Sequence, residues 1–125
     1  MSSAPNFRVT GLDLSAHMVK DAARAIAFYR DVLGMEPTRT YPDDAGAEYE
    51  FADGTAFGLW NPEGMMPFMP SGGNLFAVDD IDAAVNAVKA RGLNVSPIHD
   101  TPVCRMAQME DTEGNTITLH QRTVK

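Results

Sequence analysis

Few residues in this chain could do chemistry: three histidines, a single tryptophan, a single cysteine and a pair of glutamates on one strand. Trp60 and His120 end two similar stretches, residues 54–60 and 114–120, at an offset of 60 (120 − 60). On facing walls of a cavity, the imidazole would be a polar anchor and the indole an aromatic platform for a small molecule. A histidine bonded near a strand end and a tryptophan in the core form an equally favoured alternative.

Two glutamates, Glu48 and Glu50, alternate with Tyr49 and Phe51 along one predicted strand. Because successive side chains of a strand point to opposite faces, only one of these pairs faces a cavity. We predict that Tyr49 and Phe51 face the cavity and that the glutamates are solvated. In the alternative orientation two carboxylates lie inside, where they suit a cationic ligand or general-base chemistry.

The remaining candidates have weaker signals. His17 falls on the strand face opposite Leu14, so only a β-bulge would turn it toward the cavity. His99 lies in a proline-rich loop and is expected to be solvated. Arg105 beside Cys104 favours a thiolate, but a catalytic thiol also needs a base, and none is identifiable in the sequence. We therefore expect Cys104 to be a small buried hydrophobe. The sequence therefore indicates no catalytic residue.

Two similar stretches position these residues. Residues 21–34 predict a helix with Asp21 as N-cap, an apolar stripe at helical spacing and Gly34 as terminator. Residues 80–92 repeat this plan from Asp80 to Gly92 at an offset of 59 (80 − 21). The chain is therefore interpreted as two copies of one unit.

Strand-like segments complete each unit as strand, helix and three further strands. The predicted strands are residues 7–19, 36–41, 47–52, 55–60, 74–78, 94–96, 103–110 and 115–121. We predict an α+β fold in which two βαβββ units form a curved mixed sheet around a cavity, with the helices outside. The single domain of residues 1–125 would comprise a unit at 7–60, a linker at 61–72 and a unit at 73–122. The methionine-rich linker would cover the cavity mouth or a subunit contact, or pack on its own domain.

The composition and charge of the chain limit the classes of function that it can have. The chain is 44% hydrophobic and 22% charged, and no apolar run approaches membrane-spanning length. One cysteine excludes an internal disulfide and, without a signal-peptide core, suggests the cytoplasm. The net charge of −7 argues against nucleic acid and anionic membranes as partners. It is compatible with a cationic small molecule, although solubility alone explains it.

Residues 25–34 (AIAFYRDVLG) and 111–115 (DTEGN), with 78–80 (VDD), resemble the vicinal oxygen chelate superfamily. This superfamily includes glyoxalases, extradiol dioxygenases, and fosfomycin- and bleomycin-resistance proteins. In its metal-dependent members, four positions on the concave sheet carry His, Gln or Glu. The resemblance places these positions at Leu14, Gly58, Gly73 and Thr118, none of which is an ordinary ligand of a divalent metal. It therefore implies the metal-free, bleomycin-resistance-like branch, whose members sequester a cationic drug in the cleft of a homodimer.

The predicted function is metal-independent binding of a small, largely apolar and preferably cationic natural product or antibiotic by a homodimer, without a cofactor. The alternative is a lyase, isomerase or dioxygenase-type enzyme with a relocated or absent metal, using His120, Glu50 or His17. A third reading is a dimeric domain with a filled cavity. The predicted ligand-binding residues are Leu14, Ala16, Met18, Tyr49, Phe51, Ala56, Gly58, Trp60, Gly73, Thr118 and His120.

Overall fold

The computed structural model describes residues 5–124 and has the same element order in both units. The first unit contains β1 (Ser15–Met18), α1 (Ala22–Leu33), β2 (Arg39–Tyr41), β3 (Gly46–Glu50) and β4 (Ala56–Trp60). The second contains β5 (Leu75–Ala77), α2 (Ile81–Ala90), β6 (His99–Asp100), β7 (Cys104–Glu110) and β8 (Thr116–Arg122). The predicted α+β class and the two βαβββ units are confirmed.

Each unit forms its own open, four-stranded mixed sheet, so the predicted mixed sheet consists of two sheets. The strand orders are β1-β4-β3-β2 and β5-β8-β7-β6. In each sheet the first pair, β1 with β4 or β5 with β8, is parallel, and the other pairs are antiparallel. The two sheets meet near β1 and β5, where the Ser15 hydroxyl donates to Asn74 Oδ1. These residues are repeat equivalents, because their numbers differ by 59.

Both helices begin as the sequence predicts. The Asp21 carboxylate accepts from the Arg24 backbone N–H at 2.9 Å, and the Asp80 carboxylate accepts from the Ala83 N–H at 3.0 Å. Each satisfies one of the backbone donors that a helix leaves free in its first turn. Gly34 ends α1 with a φ of 68°, a left-handed conformation that glycine adopts without steric cost.

One core joins the two units. Tyr29 of α1 is fully buried against Tyr49 and Phe57 of the first sheet. Its ring centroid also lies 6.5 Å from that of Phe76 in β5. The buried cluster continues through α2, β7 and β8, so the apolar faces of both sheets contribute to the same interior.

The turn at residues 111–115 bonds the second unit to the first. Asp111 Oδ2 accepts from the Tyr29 hydroxyl at 2.8 Å and from Asn115 Nδ2 at 2.9 Å. Asn115 Nδ2 also donates to the backbone carbonyl of Met18 at 2.9 Å. Asn115 is fully buried and Asp111 is 7% exposed, so these bonds satisfy polar groups that would otherwise be costly to bury.

Glu113 of the same turn binds the backbone and a side chain at the N-terminus of α1. Its carboxylate accepts from the backbone N–H groups of Lys20 and Asp21 at 2.7 and 3.0 Å. Arg24 Nε donates to it at 2.8 Å. We call Asp111, Glu113 and Asn115, together with the bonds they make, the latch. The latch explains why the DTEGN motif contains two acidic residues and an amide in a buried turn.

The first strand is shorter than predicted. β1 covers Ser15–Met18, whereas Phe7, Val9 and Leu12 are 66%, 85% and 94% exposed in a segment without regular structure. These residues form no ladder with another described strand, and a strand needs a neighbour to pair its backbone groups. The predicted strand at residues 94–96 is also absent, and β6 lies at His99–Asp100 instead. No helix among residues 5–124 is long and apolar enough to cross a membrane.

Candidate functional site

The face of the first sheet turned away from α1 carries an open cavity of about 240 Å³. On β4, Phe57 and Leu59 are buried in the core, so the residues that alternate with them, Gly58 and Trp60, lie on the other face. We call this the open face, and the depression on it the Trp60 cavity. Its lining includes Leu14, Ala16, Tyr41, Glu48, Gly58 and Trp60.

The prediction that Tyr49 faces the cavity is wrong. Tyr49 is 2% exposed, and its ring lies 5.9 Å from that of Phe57 in the core beside α1. The register of β3 and β4 pairs Tyr49 with Phe57 and Glu48 with Gly58, so the two aromatic residues share the helix face. Glu48 and Glu50 therefore occupy the open face, as in the alternative orientation.

The open face carries an ion-pair cluster. Arg39 Nη1 lies 2.6 Å from Glu48 Oε2, and Arg39 Nη2 lies 2.9 Å from Glu50 Oε1. The Tyr41 hydroxyl donates to Glu48 Oε1 at 2.8 Å. These bonds, from Tyr41 first and then Arg39, lower the pKa of Glu48. One guanidinium opposes two carboxylates, so the cluster has a formal charge of −1 and favours a cation.

The cluster was missed as a site, although the sequence holds a signal for it. Arg39 and Tyr41 alternate on one predicted strand, and Glu48 and Glu50 alternate on the next. Residues on the same face of an antiparallel pair interact across the strands, and opposite charges favour such pairing. Pairing Arg39 with Glu48 would have placed all four side chains on one face, as the register shows.

Leu14 fills the space beside Gly58, one of the four positions at which the family resemblance predicts a metal ligand. A Cβ atom on Gly58 would lie 3.2 Å from Leu14 Cδ1. Gly73 is open instead, since a Cβ atom there would meet no atom within 4 Å, and its φ of +87° suits glycine. Met18 is 9% exposed and its Sδ accepts from the Met69 backbone N–H, so it does not line the Trp60 cavity.

His17 is fully buried on the helix face of β1, without the bulge that would turn it to the open face. Its Nδ1 lies 3.0 Å from the Tyr29 hydroxyl, which donates its hydrogen to Asp111. Nδ1 therefore carries a hydrogen, and Nε2 has no partner among the described residues. Burial lowers the pKa of His17, with Asp111 opposing the shift, so the ring is neutral at pH 7. The role of His17 as a base at the open face is contradicted.

Trp60 and His120 do not share a cavity within one chain. Every residue that lines the Trp60 cavity belongs to the first unit. His120 is half-buried on β8, paired with Ala77 and Met106, and Thr118 is 4% exposed beside Gln108. The predicted pair of facing walls is therefore divided between two separate sheets. Contact of these residues with a ligand stays a prediction.

Phe51 and Ala56 line a different cavity of about 350 Å³, which lies between the two units. We call it the seam cavity. Its other walls include Phe57 of β4 and the β5 residues Leu75 and Phe76. The prediction that Phe51 and Ala56 line one cavity with Trp60 is wrong, because both border the seam cavity. Phe51 lies in the turn after β3, and Ala56 lies at the opposite end of β4 from Trp60.

The four positions at which the family resemblance predicts metal ligands do not fit a divalent cation. Leu14 and Gly58 pack against each other, Gly73 has no side chain, and the buried Thr118 hydroxyl already accepts from Gln108 Nε2 at 3.5 Å. Within residues 5–124, no group of three His, Cys, Asp or Glu side chains is arranged to hold a metal. Cys104 is buried, with Sγ 3.1 Å from Thr101 Oγ1.

Comparison with known proteins identifies the family. The model of the Glyoxalase/Bleomycin resistance protein/Dioxygenase superfamily matches residues 11–119. The structure is similar to TnmS3, an antibiotic binding protein from Streptomyces sp. CB03234, with a TM-score of 0.77 and 26% identity over 94% of this chain and 100% of that chain. A glyoxalase/bleomycin resistance protein from the same organism gives a TM-score of 0.74 and 28% identity over 86% of this chain and 97% of that one.

Lactoylglutathione lyase from Agrobacterium tumefaciens gives a TM-score of 0.73 over 90% of this chain and 94% of that chain. At 21% identity this likeness shows the fold alone. A search of curated proteins finds no match. Because the family model spans nearly the whole chain and both βαβββ units, the chain belongs to the Glyoxalase/Bleomycin resistance protein/Dioxygenase superfamily.

Proposed function

We propose that this protein binds a flat, largely apolar, cationic molecule on the open face of the first sheet, without a metal, and thereby sequesters it. The observation that carries the proposal is the Trp60 cavity, which combines an indole with the carboxylate of Glu48. The likeness to an antibiotic binding protein at 26% identity supports a natural product or antibiotic as the ligand class.

The residues of the cavity supply two kinds of attraction. A cationic ring stacked on the Trp60 indole gains a cation–π contribution of about 0.5–2 kcal/mol. Glu48 supplies an ionised carboxylate whose orientation is held by Arg39 and Tyr41. Leu14 and Ala16 provide the apolar floor. The net charge of −7 raises the encounter rate for a cation, most strongly at low salt.

A second copy of the chain would complete the site. The Trp60 cavity holds about 240 Å³, whereas sites for drug-sized ligands usually measure roughly 300–1,000 Å³. Tyr41 and Leu14, which line it, are still 43% and 39% exposed. In the proposed homodimer, the second sheet of the partner faces this cavity and supplies His120 and Thr118 as the opposite wall.

Calorimetric titration with proflavine, a flat cation, and acridine, its neutral counterpart at pH 7.5, tests the proposal. We expect Trp60→Phe to weaken binding of both by about threefold or more, since a smaller ring stacks less well. Glu48→Gln should weaken proflavine by about three- to tenfold and leave acridine unchanged. Glu36→Gln is the matched control, because Glu36 is 70% exposed and pairs with Arg30 away from the cavity.

Two results would contradict the proposal. Proflavine could bind with an affinity that neither Trp60→Phe nor Glu48→Gln changes, which would place the ligand elsewhere. If neither probe nor a broad panel of flat cationic antibiotics binds at all, the reading of a largely filled cavity would replace the proposal.

A further inference from the structure

We propose that the seam cavity is a second small-molecule site, which takes an aromatic amine of one or two rings. This inference is independent of the proposed function, because the seam cavity and the Trp60 cavity share no lining residue. It is based on broken symmetry between the units, on aromatic walls and on one unneutralised carboxylate.

The latch marks where the two units differ. By the offset of 60 between the last hairpins, residues 51–55 of the first unit correspond to residues 111–115 of the second. The 111–115 turn is buried against β1 and α1 of the first unit. The 51–55 turn instead borders an open cavity at β5. The first unit has Phe51, Asp53 and Thr55 where the latch has Asp111, Glu113 and Asn115.

Hydrogen bonds to the other unit close the 111–115 turn, whereas the polar side chains of the 51–55 turn bond within that turn. Asn115 reaches the Met18 carbonyl, whereas Thr55, its equivalent, donates to Asp53 of its own turn. Asp111 bonds Tyr29, whereas its equivalent Phe51 is 39% exposed. The 111–115 turn is therefore closed against the first unit by hydrogen bonds, whereas the equivalent 51–55 turn leaves a cavity open at the second unit.

Aromatic rings form the walls of the seam cavity. The rings of Phe57 and Phe76 meet edge to face, with centroids 4.9 Å apart and an interplanar angle of 80°. Phe51 forms a further, partly exposed side. Rings packed in this geometry favour another aromatic ring, since edge and face contacts add to the area buried. The volume of about 350 Å³ is near the lower end for ligand sites and fits one or two rings.

Asp53 gives the cavity a preference for a cation. Its Oδ1 accepts from the Thr55 N–H at 3.0 Å and the Thr55 hydroxyl at 2.6 Å, and these bonds lower the pKa of Asp53. Asp53 takes part in none of the ion pairs formed by residues 5–124, so its charge is available to a ligand. The cavity therefore offers aromatic walls and a carboxylate at its rim.

Tryptamine is the probe, and 3-ethylindole, which lacks the amine, is its matched neutral control. Titration of the full chain, followed by backbone amide NMR shifts, is expected to show saturable tryptamine binding with a Kd on the order of 0.1–1 mM. The largest shifts should fall at residues 51–57 and 74–77. 3-Ethylindole should bind about three- to fivefold more weakly, because it forms no ion pair.

Two variants test the assignment, each with a matched control. Phe51→Ala should weaken tryptamine about tenfold, whereas Met65→Ala, a truncation of an exposed apolar side chain that does not line the cavity, should not. Asp53→Asn should weaken it about three- to fivefold, because the amide keeps an oxygen for Thr55 but loses the charge. Asp31→Asn, the same change on an exposed helix position, should have no effect. Trp60→Phe should leave unchanged the tryptamine affinity obtained from the shifts of residues 51–57 and 74–77.

Other outcomes would overturn the site. They are the absence of saturable binding, shifts centred on residues 58–60, or affinities that neither Phe51→Ala nor Asp53→Asn lowers. If deleting residues 1–12 creates tryptamine binding that the full chain lacks, the occupant of the cavity is the N-terminal segment of this chain or of a second copy. Loss of tryptamine binding with proflavine binding retained would refute the seam site and leave the proposed function standing.

Discussion

Two tyrosines in the same core make different use of their hydroxyl groups. The Tyr29 hydroxyl bonds both Asp111 and His17, whereas the Tyr49 hydroxyl is buried without a partner among the described residues. Burying an unpaired polar group costs free energy, and removing a paired one leaves its partners unsatisfied.

Replacing each tyrosine by phenylalanine removes the same single oxygen, so the two variants control for each other. We expect Tyr49→Phe to leave the free energy of unfolding unchanged or to raise it by up to about 1 kcal/mol. Tyr29→Phe should lower it by about 1–3 kcal/mol, because Asp111 and His17 lose a bond. Urea unfolding monitored by circular dichroism measures both, and equal losses would contradict the difference in bonding.

His17 should make stability depend on pH. Its pKa is lowered by burial in the folded state, with Asp111 opposing, so below the ordinary value of 6.5 the unfolded chain binds the proton more readily. Stability is therefore present above about pH 6.5 and declines as the pH falls. We expect urea unfolding to give a lower free energy of unfolding at pH 5.5 than at pH 7.5. His17→Leu should reduce this slope, and an unchanged slope would refute the assignment to His17.

Among the elements, the 111–115 turn, which carries the latch, should contribute more to the stability of the fold than its length suggests. Burial alone would raise the pKa of Glu113, but bonds from Arg24, the Lys20 N–H, Thr112 and the Asp21 N–H outweigh it and lower the pKa to about 2. A carboxylate with a lowered pKa stabilises the fold above its unfolded value, and this contribution is lost as the pH falls from about 4.5 toward 2.

Glu113→Gln removes the charge while keeping a similar shape. We expect it to lower the free energy of unfolding at pH 7 by about 2–4 kcal/mol, from the size of the pKa shift. Glu36→Gln, which weakens an exposed ion pair, should cost less than about 0.5 kcal/mol. The measurement is urea unfolding at pH 7 and pH 3, and the variant should lose most of its deficit at the lower pH. A deficit that is the same at both pH values would show that shape, and not charge, is responsible.

For the whole molecule, exposed apolar surface predicts a homodimer. Phe7, Val9, Leu12 and Leu14 are exposed in one continuous segment that begins ahead of β1 and ends at the open face. Four large apolar side chains exposed within residues 7–14 are expected to be covered by a partner. We expect light scattering on a sizing column to give twice the chain mass of 13.6 kDa at micromolar concentration.

Replacing Phe7 and Leu12 together by aspartate should shift the protein toward monomers, because the charges cannot be buried in an interface. Replacing Met65 and Met69 by aspartate controls for added charge on exposed apolar positions outside that segment. A wild-type mass near 13.6 kDa under these conditions would contradict the homodimer and leave the Trp60 cavity open on one side.

The local features of this protein were determined by its sequence. Asp21 and Asp80 cap helices because the carboxylate of an N-cap residue accepts from the free N–H three residues later, a bond that needs no distant part of the chain. The repeat of 59 or 60 residues predicted two βαβββ units, and the family resemblance followed from the same motifs. Each of these features depends on neighbours within a few residues or on comparison of one half of the chain with the other.

Tertiary structure alone decided which face of each strand meets which neighbour. The residues of β3 alternate clearly, but the alternation does not say whether Tyr49 or Glu48 faces the core. Packing against α1 places Tyr49 in the core and Glu48 on the open face. Trp60 and His120 are equivalent in sequence, yet they lie on separate sheets, because each unit forms its own hydrogen-bonded ladder. Periodicity describes the faces of an element, whereas long-range packing assigns those faces to core, cavity or solvent.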